Sequence, residues 1–119
     1  MDVFDRNGVL LDRVAQRGQL NAPWGLAMAP DDFGTYSGDL LVGNFGDGNI
    51  NAFTQNVNGT WRPAGQLRGA DQKPIKIDGL WALQFGHGAP NNGPQSTLFF
   101  TAGPNDENDG LFGSITAAP

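Results

Sequence analysis

Short runs of alternating apolar and polar residues follow one another along this chain, and one of them occurs twice. Residues 24–29 read Trp-Gly-Leu-Ala-Met-Ala, and residues 81–86 read Trp-Ala-Leu-Gln-Phe-Gly. In both runs a Trp, a Leu and a third large apolar residue stand at alternate positions, and the two runs are 57 residues apart. Alternation with a period of two places these side chains on one face of a β-strand. The chain therefore contains an internal repeat of strand-forming sequence.

Two further segments repeat in the same order. The run 40–44 corresponds to 98–102 at an offset of 58, and both are dense apolar runs typical of a strand covered on both faces. Asp47-Gly48 and Asp109-Gly110 then open a third segment at an offset of 62. Asp-Gly indicates a tight turn, because such turns need residues that tolerate positive φ. The larger offset predicts that the second copy carries a few extra residues at 104–108.

Counting the repeated runs predicts nine short strands, in groups of two, four and three. A fourth strand of the middle unit is expected at 61–67, and the start of the chain resembles the end of such a unit. No helical periodicity is sustained over ten residues, so the fold class is all-β. We expect a β-propeller fragment of about two to two and a half four-stranded antiparallel blades. Its parts are the end of a preceding blade at 1–19, a complete blade at 20–69 and an incomplete final blade at 70–119.

A small antiparallel β-sandwich is the alternative architecture, since it also uses short strands and glycine-rich turns. The repeated Trp-x-Leu-x-apolar strand favours the propeller, because a sandwich does not require the same strand twice.

Several of these motifs resemble a known family. Residues 23–27 and 38–44 resemble NHL-type propeller repeats. Together, residues 20–51, 77–81 and 100–107 resemble the C-terminal third of an uncharacterised family of secreted bacterial six-bladed propeller proteins, and Gly-Asn-Phe-Gly-Asp-Gly at 43–48 is the most specific match. The resemblance implies an extracellular or periplasmic location and supplies no reaction.

The charge and composition narrow the classes of partner. The formal net charge is −5, from 12 acidic and 7 basic residues, and the basic residues are scattered from Arg6 to Lys76. Nucleic acid is a poor partner for such a surface, because phosphate binding relies on clustered cations. There are no cysteines. No apolar stretch approaches the roughly 20 residues of a membrane helix, and the first residues do not read as a signal peptide.

One loop could hold a metal ion. Residues 105–110 read Asn-Asp-Glu-Asn-Asp-Gly, and calcium prefers several hard oxygen ligands from a flexible loop. The candidate calcium ligands are Asp106, Glu107 and Asp109, with Asp47 at an equivalent position in the preceding unit. The alternative interpretation is a surface turn rich in turn-forming residues.

Other side chains indicate packing rather than chemistry. His87 is the only histidine and follows a predicted strand in a turn. Trp24 and Trp81 occupy repeated positions and are expected to pack between units, whereas Trp61 falls outside the matched positions and is expected to be exposed. The sequence offers no catalytic constellation.

Three functional hypotheses follow. The first is a non-catalytic module that acts as an interaction or structural scaffold, with a protein or small molecule as ligand. The second is a calcium-dependent lactonase- or lyase-like enzyme in which Asn44, Asp47, Asp106 and Asp109 surround the metal. The third is a truncated fragment without independent function, which would self-associate or need missing N-terminal blades, because repeat arrays usually require three units for stability.

Overall fold

The computed structural model describes residues 1–118, so residue 119, the end of the predicted final unit, lies outside it. The described chain contains nine strands and a single 3₁₀ turn at Gly34–Tyr36, which confirms the all-β prediction. The strands are β1 (Asp2–Phe4), β2 (Leu10–Arg13), β3 (Pro23–Met28), β4 (Leu40–Asn44), β5 (Ile50–Gln55), β6 (Trp61–Gln66), β7 (Leu80–Phe85), β8 (Thr97–Ala102) and β9 (Leu111–Thr116). Within this part of the chain, no helix has the length and hydrophobicity that a membrane crossing requires.

The strands form three open antiparallel sheets. Strands β1 and β2 form a first sheet, β3 to β6 a second and β7 to β9 a third, each in sequence order. The propeller resemblance is therefore wrong for the described residues, because no closed ring is present. Within residues 1–118 every strand pairs only with its neighbours along the chain, so each sheet keeps two free edges. The small antiparallel β-sandwich is the architecture that matches.

The main hydrophobic core lies between the second and third sheets. Gly25 of β3 brings the two sheets together, since a Cβ at this position would lie 2.7 Å from the Trp81 carbonyl oxygen and 2.8 Å from the Leu83 nitrogen. Gly43 of β4 makes room in the same way for the Leu80 side chain. The buried members of this core are Ala29, Phe33, Leu41, Ile50, Ala52, Leu67, Ile77, Leu80, Leu83, Leu98 and Ala102.

A second, smaller cluster joins the first sheet to the opposite face of the second sheet. Val14, Val42 and Phe53 are buried in it. Trp61 packs against this cluster and is half-buried, so the expectation that it is exposed is wrong. The N-terminal ammonium group donates to the Ala15 carbonyl at 2.6 Å and holds the beginning of the chain beside these residues.

The repeated turns have matching hydrogen bonds but differ in backbone conformation. The Gly48 amide donates to the Asn44 carbonyl, and the Glu107 amide donates to the Gly103 carbonyl. Each hydrogen bond closes the turn that follows the second strand of a unit. Gly48 has a φ of 74°, as the Asp-Gly turn predicts. In the second copy positive φ angles occur instead at Asn105, Asp106 and Glu107, so the extra residues rather than Gly110 form the turn.

Candidate interaction surface and predicted metal site

An apolar strip on β3 is open to solvent. Trp24, Leu26 and Met28 alternate along this strand and are exposed by 58%, 52% and 56%. The residue between the first two, Gly25, is buried against β7. One side of β3 therefore belongs to the main core, whereas the other side presents three large apolar side chains to solvent. We call Trp24, Leu26 and Met28 the β3 strip.

The corresponding strip of the third sheet is covered. Leu83 is only 5% exposed and lies against the β3 backbone at Gly25. Phe85 packs edge-on against Phe33, with ring centroids 5.0 Å apart. Trp81 is half-buried, and its ring centroid is 6.4 Å from that of Trp24. Two strips with the same residue pattern thus have different environments, because the second sheet covers only the later one.

A second open apolar patch lies on the far side of the third sheet. The Phe99 and Phe112 rings stack with centroids 5.7 Å apart and planes 11° from parallel, and Phe112 is 69% exposed. Ala82 and Gln84, which point away from the main core on β7, are also exposed. We call the surface formed by Phe99, Phe112, Ala82 and Gln84 the β8–β9 face.

The predicted calcium ligands occupy two turns. Asp106 and Glu107 are exposed, and the Glu107 carboxylate accepts a hydrogen bond from the Trp81 indole at 2.8 Å. The Asp109 carboxylate accepts a long hydrogen bond of 3.4 Å from the side-chain amide of Asn105. Asp47 is half-buried and accepts from the Asn49 backbone amide at 3.0 Å.

Within residues 1–118, no group of three or more His, Cys, Asp or Glu side chains lies where it could hold a metal ion. The calcium site at Asp106, Glu107, Asp109 and Asp47 stays a prediction, as does the enzyme hypothesis that depends on it. His87 lies in an exposed turn, where its Nε2 is 3.0 Å from the Gln84 side-chain nitrogen.

Sequence reasoning named Asn44 as a calcium ligand but missed that it belongs to a cluster of buried asparagines. Asn44 and Asn51 are 0% and 1% exposed, and both donate their side-chain amide to the Gln19 carbonyl, at 2.7 and 3.3 Å. Their side-chain oxygens, and that of Asn49, are buried and accept no hydrogen bond from any group in the described chain. The spacing Asp47-x-Asn49-x-Asn51 was the available signal, because alternate residues of a strand share one face.

Comparison with known proteins finds viral relatives. Over 115 residues the chain is 40% identical to uncharacterized protein R648 and 38% identical to uncharacterized protein L690, both of Acanthamoeba polyphaga mimivirus. These alignments cover 97% of this chain but 26% and 28% of the two viral proteins. Uncharacterized protein R640 of the same virus is 35% identical over 80 residues, which are 67% of this chain and 14% of that protein.

The chain thus spans about a quarter of the length of the first two relatives. No protein-family model and no solved structure matches it. The relatives are mimivirus proteins whose names assign no activity, so the resemblance to bacterial secreted propeller proteins is wrong in source as well as in fold.

Proposed function

We propose that this chain is a non-catalytic interaction module that associates with a second copy of itself by stacking sheets. The observation that supports the proposal is the difference between the two repeated strips. Leu83 in the later copy is buried beneath another sheet, while its counterpart Leu26 is 52% exposed. A run of large apolar side chains that are each more than half exposed is typical of an interaction site.

The internal repeat also indicates what covers the β3 strip. The surface that covers Leu83 contains Gly25 and Gly43, whose lack of side chains allows close approach. The residues at the corresponding positions of the third sheet are Ala82 and Thr101, which point toward the β8–β9 face. The β8–β9 face is therefore the nearest equivalent of the covering surface, and a second copy would place it on the β3 strip.

Such an interface joins two different surfaces. One copy contributes the β3 strip and the next contributes the β8–β9 face, so each copy keeps one free surface for a further partner. Head-to-tail contacts of this kind form rings when the rotation closes and filaments when it does not.

The expected affinity is modest. Complete burial of a large apolar side chain contributes about 1.5–3 kcal/mol, and these side chains are already about half covered. Association also costs translational, rotational and side-chain freedom. We therefore expect oligomers that form and dissociate as the concentration changes.

The test is sedimentation velocity of the full chain over a range of concentrations, with substitutions that place a charge in each surface. Leu26→Asp removes the β3 strip, and Phe112→Asp removes the β8–β9 face. Each variant alone should stay monomeric at concentrations where the native chain associates. Val57→Asp is the matched control, because Val57 is fully exposed in the turn between β5 and β6 and should not alter association.

Mixing the two variants tests whether the β3 strip of one copy binds the β8–β9 face of another. Phe112→Asp retains an intact β3 strip and Leu26→Asp an intact β8–β9 face, so their mixture should form one-to-one dimers and nothing larger. A native chain that stays monomeric at every concentration would refute the proposal. Association of Phe112→Asp by itself would also refute it, because the β3 strip would then pair with itself.

A further inference from the structure

We infer that the hairpin at residues 44–51 binds a calcium ion through buried asparagine oxygens, at a site separate from the predicted acidic loop. Asn44, Asn49 and Asn51 each present a buried side-chain oxygen that accepts no hydrogen bond within the described chain. A buried acceptor without a donor costs about 1–3 kcal/mol, and native proteins rarely leave such atoms unpaired. Three unpaired oxygens in one short hairpin indicate that the site binds a ligand that interacts with hydrogen-bond acceptors.

The backbone places the three asparagine side chains on the same face of the sheet. Asn51 pairs across the strands with Val42, so their side chains share a face, and Asn44 stands two residues beyond Val42 on that same face. The backbone amide of Asn44 donates to the backbone carbonyl of Asn49 at 2.9 Å, so these two residues lie opposite each other in the hairpin. Asn49 is in turn two residues before Asn51.

Shared contacts bring the side chains together and fix their orientation. The side-chain nitrogens of Asn44 and Asn51 both donate to the Gln19 carbonyl, at 2.7 and 3.3 Å. Since a carbonyl oxygen can accept these bonds only from amide nitrogens, the free atoms of both side chains are their oxygens. The two carboxamides therefore flank one carbonyl group, and the oxygen of each has no donor among residues 1–118.

The chemistry of this set fits a hard cation. Calcium takes six to eight oxygen ligands from carboxylates, side-chain amides, backbone carbonyls and water, at flexible geometry. The three amide oxygens supply such ligands, and the Asp47 carboxylate, which accepts from the Asn49 backbone amide at 3.0 Å, adds one negative charge to the same hairpin. Magnesium requires a stricter octahedral arrangement and gives up its water reluctantly, so it fits this set less well.

An opening to solvent lies beside the cluster. Gln19 and Asn51 line a groove of about 380 Å³ next to β5 and β6. Arg68 also lines this groove, and its guanidinium donates to the Gln72 carbonyl at 2.7 Å. Of the three asparagines, Asn51 is the one that lines this groove.

The test compares thermal melting of the full chain in millimolar calcium and in chelator. Ligand binding to the folded state raises the melting temperature, and we expect a rise of about 5 °C for the native chain. Asn51→Leu replaces the amide with an apolar group of similar size and should abolish the rise. Asp106→Asn alters the acidic loop and should leave the rise unchanged.

A further variant should increase the calcium dependence. Asn51→Asp keeps the size of the side chain but buries a carboxylate, which is costly unless a cation neutralises it. In chelator this variant should melt below the native chain, and calcium should raise its melting temperature by more than the native rise. Isothermal titration of the native chain with calcium chloride provides a measurement that does not depend on melting.

Three results would overturn the inference. The first is a native chain that neither binds calcium in the titration nor melts higher in its presence, which would mean that the asparagine oxygens are satisfied by buried water. The second is an unchanged calcium response in Asn51→Leu. The third is a response that disappears in Asp106→Asn, which would place the ion at the acidic loop instead.

Discussion

At the scale of single residues, an ion pair joins the two strands of the first sheet. Asp2 and Arg13 face each other across β1 and β2, and the guanidinium donates to both carboxylate oxygens, at 2.7 and 3.3 Å. These hydrogen bonds are the main reason that the pKa of Asp2 lies below its ordinary value and that the pKa of Arg13 lies above its ordinary value. Both side chains are partly exposed, so solvent weakens the pair.

The lowered pKa of Asp2 makes a prediction about pH. A carboxyl group whose pKa is lower in the folded state stabilises that state above its unfolded pKa of about 3.9, and the contribution disappears as pH falls through the folded value. The pair should therefore break only in acid below about pH 4. A carboxyl NMR titration should show the Asp2 midpoint rising toward the ordinary value in Arg13→Gln. An unchanged midpoint in that variant would contradict the assignment.

At the scale of elements, the contact between β3 and β7 holds the second and third sheets together. The contact depends on Gly25, because any Cβ there would meet backbone atoms of β7 rather than the end of a flexible side chain. The strip on β3 that we propose as an interaction surface alternates with this glycine. One strand thus combines an intramolecular packing face with an open apolar face.

Gly25→Ala should accordingly destabilise the fold by about 1–3 kcal/mol, the usual cost of overpacking a tight contact. Gly110→Ala is the control, since no atom in the described part of the chain lies within 4 Å of a Cβ at that position and its φ is not in the left-handed region. Its effect should stay within about 0.5 kcal/mol. Urea unfolding of both variants measures the difference, and equal stability of the two would contradict the proposed role of Gly25.

At the scale of the whole molecule, the two hydrophobic clusters are unequal. The main core joins the second and third sheets through eleven buried residues, whereas three buried residues connect the first sheet to the second. The first sheet also leaves Phe4, Leu10 and Leu11 more than half exposed. Regions with few buried apolar contacts open at a lower free energy than the core.

The rate of amide hydrogen exchange should therefore differ between the sheets. The amides of β1 and β2 should exchange at least about tenfold faster than those of β4 and β5, because their opening does not require the main core to separate. Exchange measured by mass spectrometry on peptides from each sheet tests this prediction. Uniform protection of all three sheets would show that they open as one cooperative unit.

Much of the strand arrangement could be predicted from the sequence. The repeated Trp-x-Leu-x-apolar pattern indicated β3 and β7, because one face of a strand selects alternate apolar residues. The dense apolar runs indicated β4 and β8, because burial on both faces selects consecutive apolar residues. The turns were less predictable. Gly48 has the positive φ that Asp-Gly implies, but at residues 105–107 the chain uses non-glycine residues for the same purpose.

The candidate sites were predictable only in part, for a physical reason. Carboxylates along the chain predicted a calcium site at Asp106, Glu107 and Asp109 with Asp47 of the preceding unit, but burial is a property of the packed molecule and not of neighbouring residues. The sequence offered Asn44 as a ligand, but its grouping with Asn51 follows from the fold, because both side chains are buried and donate to the carbonyl of Gln19, which is distant in sequence.

By itself, the sequence determined that this protein is built of short antiparallel strands with a repeated order, since strand formation depends on local alternation and turn chemistry. The tertiary structure alone decided that the sheets stay open, that the later strip is covered while the β3 strip is not, and that three asparagine oxygens are buried with no donor among residues 1–118. These properties depend on which surfaces meet in space, and equivalent residues of a repeat acquire different environments when only one copy has a neighbouring sheet.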